Sequence, residues 1–180
     1  MLLLSILCVT CASSSVAVDE TFNIRELTVT DVQRPEFLEL FNELTTTEKP
    51  SNEKIKEAFE KKQSSNLHHQ LGVFTMDGSV IGTLTVFLDP KYAKNGRPAA
   101  FIEDVIVNKN YQGKGLAKRL LREAEEFSIK HNSYKMILSC SKSLAKNENS
   151  PYVKLGFEKD CITMRKNLNT EEDSEMEILS

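Results

Sequence analysis

The stretch Val105-Ile106-Val107-Asn108-Lys109-Asn110-Tyr111-Gln112-Gly113-Lys114-Gly115-Leu116-Ala117-Lys118-Arg119-Leu120-Leu121 decides how this chain is read. Its β-branched opening ends an apolar run over residues 99–107, broken only by Glu103 and Asp104, that reads as a strand. After Gly113, Leu116, Ala117, Leu120, Leu121, Ala124 and Phe127 recur at helical spacing with Lys, Arg and Glu between them. A strand therefore passes through a glycine-bearing loop into a helix. Gly113 and Gly115 let backbone approach a ligand closely, and the first free N–H groups of the helix, with its dipole, attract an anion. A pyrophosphate suits such a place. The spacing matches neither the Gly-x4-Gly-Lys-[Ser/Thr] phosphate loop nor the dinucleotide pattern G-x-G-x-x-G.

Working outward, residues 22–29 read as a first strand, and Thr30 and Asp31 supply caps for an amphipathic helix carrying Val32, Pro35, Phe37, Leu38, Phe41 and Leu44. The polar, β-branched end Leu44-Thr45-Thr46-Thr47 suits a helix stop. A second helix is predicted after Pro50 and Ser51, with Ile55, Ala58 and Phe59 on one face and a solvated outer face. Asp77-Gly78 between two β-branched runs signals a hairpin. Residues 89–98 read as a loop bearing Lys91, Tyr92, Lys94 and Arg97. Downstream, residues 134–140 read as a buried strand, 152–155 as a helical turn closed by Gly156, and 157–168 as a final strand. The pattern is that of an α/β or α+β sandwich, with a right-handed crossover making the strands 99–107 and 134–140 parallel.

The 180 residues suffice for one domain, and a net charge of −3 supplies no basic field for nucleic acid. Residues 1–20 read as an apolar leader or flexible tail whose apolar run is too short for a membrane-spanning helix. Residues 21–168 form the domain, and 169–180 an acidic tail expected to be disordered. Cys8, Cys11, Cys140 and Cys161 lack zinc-site spacing, and the adjacent His68 and His69 point to opposite faces of a strand, so no metal is expected. Cys140 reads as packed core near the end of its strand.

The run Gln112-Gly113-Lys114-Gly115-Leu116-Ala117 resembles the acyl-CoA loop of the GNAT acetyltransferases, Gln/Arg-x-x-Gly-x-Gly/Ala, with Gln112, Gly115 and Ala117 at its fixed positions. The resemblance extends to Ile102-Glu103-Asp104-Val105, to residues 134–140 and to Tyr152-Val153-Lys154-Leu155-Gly156-Phe157, and is greatest to the branch that acetylates glucosamine 6-phosphate. It implies a GNAT fold: a central mixed, mostly antiparallel sheet, splayed at the cofactor site and flanked by helices. It implies acetyl-CoA held by Val105, Ile106, Val107, Gln112, Gly113, Lys114, Gly115, Leu116, Ala117, Lys118 and Tyr152. An amino-sugar phosphate would be met by Thr45, Lys91, Tyr92, Ala93, Lys94, Glu103, Asp104, Val105 and Arg165. Glu103 or Asp104 would orient the amine or relay its proton through water, and Tyr152 would return a proton to the departing thiolate. Glu103 and Asp104, as neighbours, face opposite sides unless a bulge intervenes. The branch implies a homodimer in the cytosol, serving UDP-N-acetylglucosamine synthesis, whereas the leader by itself suggests a secretory route or peripheral membrane attachment. Two other readings stay open: a GNAT enzyme for another amine, such as a polyamine or a protein N-terminus, and a non-catalytic acyl-CoA-binding module.

Overall fold

The computed structural model describes residues 21–44, 50–159, 163, 164 and 166. The leader, the acidic tail, Thr45 and Arg165 lie outside the described residues. In chain order the elements are β1 (Phe22–Glu26), α1 (Val29–Val32), α2 (Pro35–Phe41), α3 (Asn52–Gln63), β2 (His68–Thr75), β3 (Val80–Pro90), β4 (Pro98–Val107), α4 (Leu116–Lys130), β5 (Lys135–Leu138), α5 (Lys142–Lys146) and α6 (Pro151–Lys154). Short 3-10 turns at Tyr92–Lys94 and Lys109–Tyr111 precede and follow β4.

The strands form one five-stranded sheet in the order β1-β2-β3-β4-β5. Its first three pairings are antiparallel, and β4 and β5, joined through α4, are parallel. The sheet is the mixed, mostly antiparallel one expected, and β4 is an inner strand. Asp77 and Gly78 make the β2–β3 turn: Gly78 takes φ +84°, its N–H donates to the Thr75 carbonyl at 2.9 Å, and Asp77 Oδ1 accepts from the Ser79 N–H at 3.2 Å.

Each face of the sheet buries its own core. On one, Leu71, Val73, Leu84, Val86, Ala100 and Ile102 meet Leu116, Leu120, Leu121 and Ala124 of α4. Burying such a leucine is worth about 1.5–3 kcal/mol, so α4 is clamped by its apolar stripe. On the other, Phe74, Val80 and Ile106 meet Val32, Phe37 and Leu40 of α1 and α2 and Ile55 and Phe59 of α3. His68 and His69 do diverge: His68 stacks on Phe87 with centroids 4.8 Å apart, and His69 lies flat on Phe127 of α4 at 4.0 Å.

Several local expectations are corrected. β1 stops at Glu26, and the cap is Thr28 rather than Thr30, because Asp31 at the third helical position returns a bond to the Thr28 amide. The single helix expected through Leu44 is two: Arg34, preceding Pro35, is held extended at ψ 138°, so α2 restarts at the proline and ends at Phe41, leaving Leu44 exposed. Ala58 faces solvent. β5 is shorter than expected and only half-buried, because it is the last strand of the described sheet; Cys140, beyond its end, is exposed rather than packed. The long 141–151 segment contains α5, which was not foreseen. Of the expected final strand, residues 157–159, 163, 164 and 166 have no strand structure, and the rest lies outside the described residues. Among the described residues no helix is long and apolar enough to cross a membrane.

Candidate active site

The loop between β4 and α4 is built to leave amides bare. Asn108 opens it by accepting the Asn110 N–H on its side-chain oxygen at 3.0 Å, which winds the chain into the 3-10 turn. Gln112 Nε2 then donates to the Val107 carbonyl at 3.0 Å, tying the loop back to the strand end. Gly113 and Gly115 take φ +79° and +77°, a left-handed conformation that side chains disfavour. Gly115 is the N-cap of α4 and no side chain caps the helix among the described residues. A Cβ placed at either glycine would meet nothing within 4 Å, so the loop faces open space. Lys114 stands above the Phe22 ring at 5.8 Å, adding a cation at the loop. The arrangement fits an anionic diphosphate: bare amides, a helix dipole and a cation converge without a competing carboxylate in the loop.

Next to this loop the sheet opens. Pairing of β4 with β5 ends at Ile102 opposite Leu138, while β4 continues to Val107. On its other edge β4 carries an extra residue: Thr85 faces Glu103 and Thr83 faces Ile106, so Asp104 and Val105 bulge out of register. Asp104 reaches φ +53° to make the bulge. The bulge was the condition for Glu103 and Asp104 to escape strict alternation. It also frees backbone of Val105 from regular β3 pairing, beside the gap between β4 and β5.

Glu103 shares a sheet face with Phe101, two residues earlier. Lys91 lies 5.5 Å from the Phe101 ring and is ion-paired to Asp89. The two-residue step from Phe101 to Glu103 spans about 7 Å of strand. A cation and a carboxyl thus flank one aromatic side chain. Lys94 stands 5.5 Å over Tyr134, and Tyr92 and Ala93 are exposed. Burial, and then the Asp104 charge, push the Glu103 carboxyl above its usual range, with Lys62 acting in the opposite direction. Lys62 Nζ is 3.9 Å from Asp104 Oδ2. The sequence pattern puts lysines on the solvated side of this helix; that Lys62 reaches Asp104 depends on how α3 lies over the sheet, for which the sequence carries no signal.

Tyr152 comes from α6, which packs on α4, and its ring meets Phe157 edge-on at 6.4 Å. Burial, reinforced by the Cys140 thiol, raises its phenol, so the hydroxyl keeps its proton. Val105 and Tyr152 both pack against the core under α4, while Ile106 lies in the core on the other face. The structure thus brings Val105, Val107, residues 112–118 and Tyr152 to the α4 side, and Glu103, Asp104, Lys62 and Lys91 to the opposite face.

Comparison with known proteins agrees with this geometry. The model of the acetyltransferase (GNAT) family matches residues 31–157. Glucosamine 6-phosphate N-acetyltransferase of Arabidopsis thaliana is 33% identical over 124 residues, covering 68% of this chain and 83% of the relative. Glucosamine 6-phosphate N-acetyltransferase 1 of Dictyostelium discoideum is 30% identical over 149 residues, 82% of this chain and 91% of the relative. The crystal structure of the Arabidopsis enzyme superposes with a TM-score of 0.76 at 30% identity, over 83% of this chain and 99% of that one. With the match running from α1 through the bulged strand, the glycine loop and the Tyr152 turn, this chain belongs to the GNAT acetyltransferase family.

Proposed function

We propose that this acetyl-CoA-dependent N-acetyltransferase acts on the amine of glucosamine 6-phosphate and yields N-acetylglucosamine 6-phosphate. The observation that carries the reading is the pairing of Glu103 with Lys91 on either side of Phe101. An amine at the carboxyl and a phosphate at the lysine lie at the two ends of a hexosamine phosphate. The names of the Arabidopsis and Dictyostelium relatives support the same acceptor.

Acetyl-CoA supplies the acetyl group as a thioester open to direct attack by an amine. The chain's residues do the rest. The amides of Gln112 to Lys118 bind the diphosphate, with Val107 and the Gln112 side chain coupling loop to strand. The bulged Val105 N–H donates to the carbonyl oxygen as negative charge builds there. Glu103, its affinity for protons raised by burial, takes the amine proton, and Asp104, held by Lys62, orients the amine. Tyr152 gives its proton to the leaving sulfur. Lys91, Tyr92, Ala93 and Lys94, joined by Thr45 and Arg165, hold the sugar phosphate by charge-assisted hydrogen bonds. A cytosolic homodimer completes the reading.

The test is CoA release by purified protein with acetyl-CoA and a panel of amino sugars and polyamines. Turnover with glucosamine 6-phosphate and none with glucosamine is expected. Equal turnover of both, or a preference for polyamines, would reassign the acceptor, and no turnover with any amine would leave a binding module.

A further inference from the structure

Gln70 of β2 is 6% exposed, and its Oε1 is buried with no hydrogen-bond partner among the described residues. A glutamine so placed loses its hydration and gains nothing in return, where a leucine would fit the core at no such cost. Its position in the register explains what it faces. Gln70 lies directly opposite Thr85, and Thr85 directly opposite Glu103, so the three side chains form one cross-strand row on one face. The flanking rows offer Gln70 no alternative partner. On one side run His68, Phe87, Phe101 and Ile137; on the other, Gly72, Thr83 and Ile106, with the Thr83 hydroxyl already donating to the Leu71 carbonyl at 2.9 Å.

Gln70 and Glu103 sit two strands apart, about 9.6 Å. Their side chains each extend roughly 3.5 Å beyond Cβ by ordinary bond lengths. Thr85 stands between them, one strand spacing of about 4.8 Å from each, and its hydroxyl can accept one hydrogen bond while donating another.

We infer that Gln70 is a positioning residue for the acetyl transfer: when Glu103 takes up the amine proton, its new O–H donates to the Thr85 hydroxyl, which in turn donates to Gln70 Oε1. The inference rests on the role given to Glu103 above. The balance of the step is simple. The amine nitrogen forms the amide bond and loses one proton to the Glu103 carboxylate; the C–S bond breaks, and the sulfur takes a proton from Tyr152. Gln70 exchanges no proton. It stabilises the neutral form of Glu103 and fixes the carboxyl orientation, which makes Glu103 a better base near neutral pH. The other charges facing Glu103 are Asp104 of the same strand and Lys62 of α3, with Lys91 beyond Phe101. His68, on the next row of β2, is held toward its neutral form by burial and by Lys62.

The experiment compares pH–rate profiles of the wild-type chain, Gln70→Leu, Gln70→Glu and Thr85→Leu with glucosamine 6-phosphate. In Gln70→Leu we expect kcat to fall about tenfold or more, the acidic limb to move toward the usual carboxylate range, the KM for acetyl-CoA to hold, and the unfolding temperature to hold or rise as the unbonded oxygen is removed. Thr85→Leu should reproduce the limb shift by removing the linking hydroxyl. In Gln70→Glu the added carboxylate should move the limb the opposite way, to higher pH. A merely structural glutamine cannot give shifts of opposite sign. A wild-type limb in Gln70→Leu overturns the inference while leaving the acetyltransferase reading intact; should Gln70→Leu not fold, the Thr85→Leu limb decides, because a carboxylate at position 70 would raise Glu103 by repulsion alone. A wild-type chain without turnover on this substrate defeats the acceptor assignment itself and this inference with it.

Discussion

The helices that begin at Val29 and at Leu116 start in opposite ways. At α1, Thr28 Oγ1 accepts the Asp31 N–H at 3.3 Å, and the Thr28 N–H donates to Asp31 Oδ2 at 2.9 Å. Arg25 then grips both Asp31 oxygens, at 2.6 and 3.0 Å, while its guanidinium lies 3.6 Å over the Phe74 ring. The capping groups at that helix start, Thr28 and Asp31, are bonded to each other and to Arg25. At α4 a left-handed glycine stands where the cap should be, and among the described residues no side chain caps it. The first start is spent on stability, whereas the second stays open, which lowers the stability of α4 alone and leaves its field to a ligand. α4 tolerates this because Leu116, Leu120, Leu121 and Ala124 anchor it in the core; the four-residue α1 has Val32 alone for that purpose.

The comparison breaks most readily at Gly115. Gly115→Val forces a β-branched residue into φ +77°, and together with the lost cradle geometry should weaken acetyl-CoA binding by roughly 100-fold, read by calorimetry. A normal titration would show that α4's bare start binds nothing. Tyr152→Phe sharpens the division between holding and reacting: turnover should drop by about tenfold to 100-fold while acetyl-CoA affinity stays put. At the capped start the expected losses are in stability alone. The Arg25 bonds, against an opposing cost of burial and with help from Thr28, bring the Asp31 carboxyl from 3.8 down to about 2. Because the folded value is the lower one, this stabilisation is present above pH 4 and drains away as pH falls toward 2. Asp31→Ala should therefore cost about 2 kcal/mol at pH 7 by denaturant titration and flatten the acid limb of the stability curve. Thr28→Ala should cost about 1 kcal/mol. Neither change should alter the Kd for acetyl-CoA; a shift in it would mean that the two helix starts are coupled through the sheet.

Much of the fold follows from local patterns. The Asp77-Gly78 turn, the period of α4 and the Gln112 to Ala117 loop lie within short windows, so the residues that make each feature are neighbours in the chain. The loop could be read as an anion site because a helix start needs no distant partner to bind one. The acceptor side could not be read in the same manner. Lys62 meets Asp104 across forty-two positions of chain (104 − 62), and the row of Gln70, Thr85 and Glu103 exists only through the pairing of three strands. Even Asp104 was ambiguous, because alternation and a bulge assign it different faces.

The sequence by itself determined the β4–loop–α4 unit, the hairpin before it and the parallel crossover after it, since turn chemistry and side-chain period act over a few residues. Tertiary structure alone decided where β4 parts from β5, which residues share a row with Glu103, and which charges reach the site from α3. A one-residue change of register moves every side chain of a strand to the opposite face, and only the packed sheet selects the register.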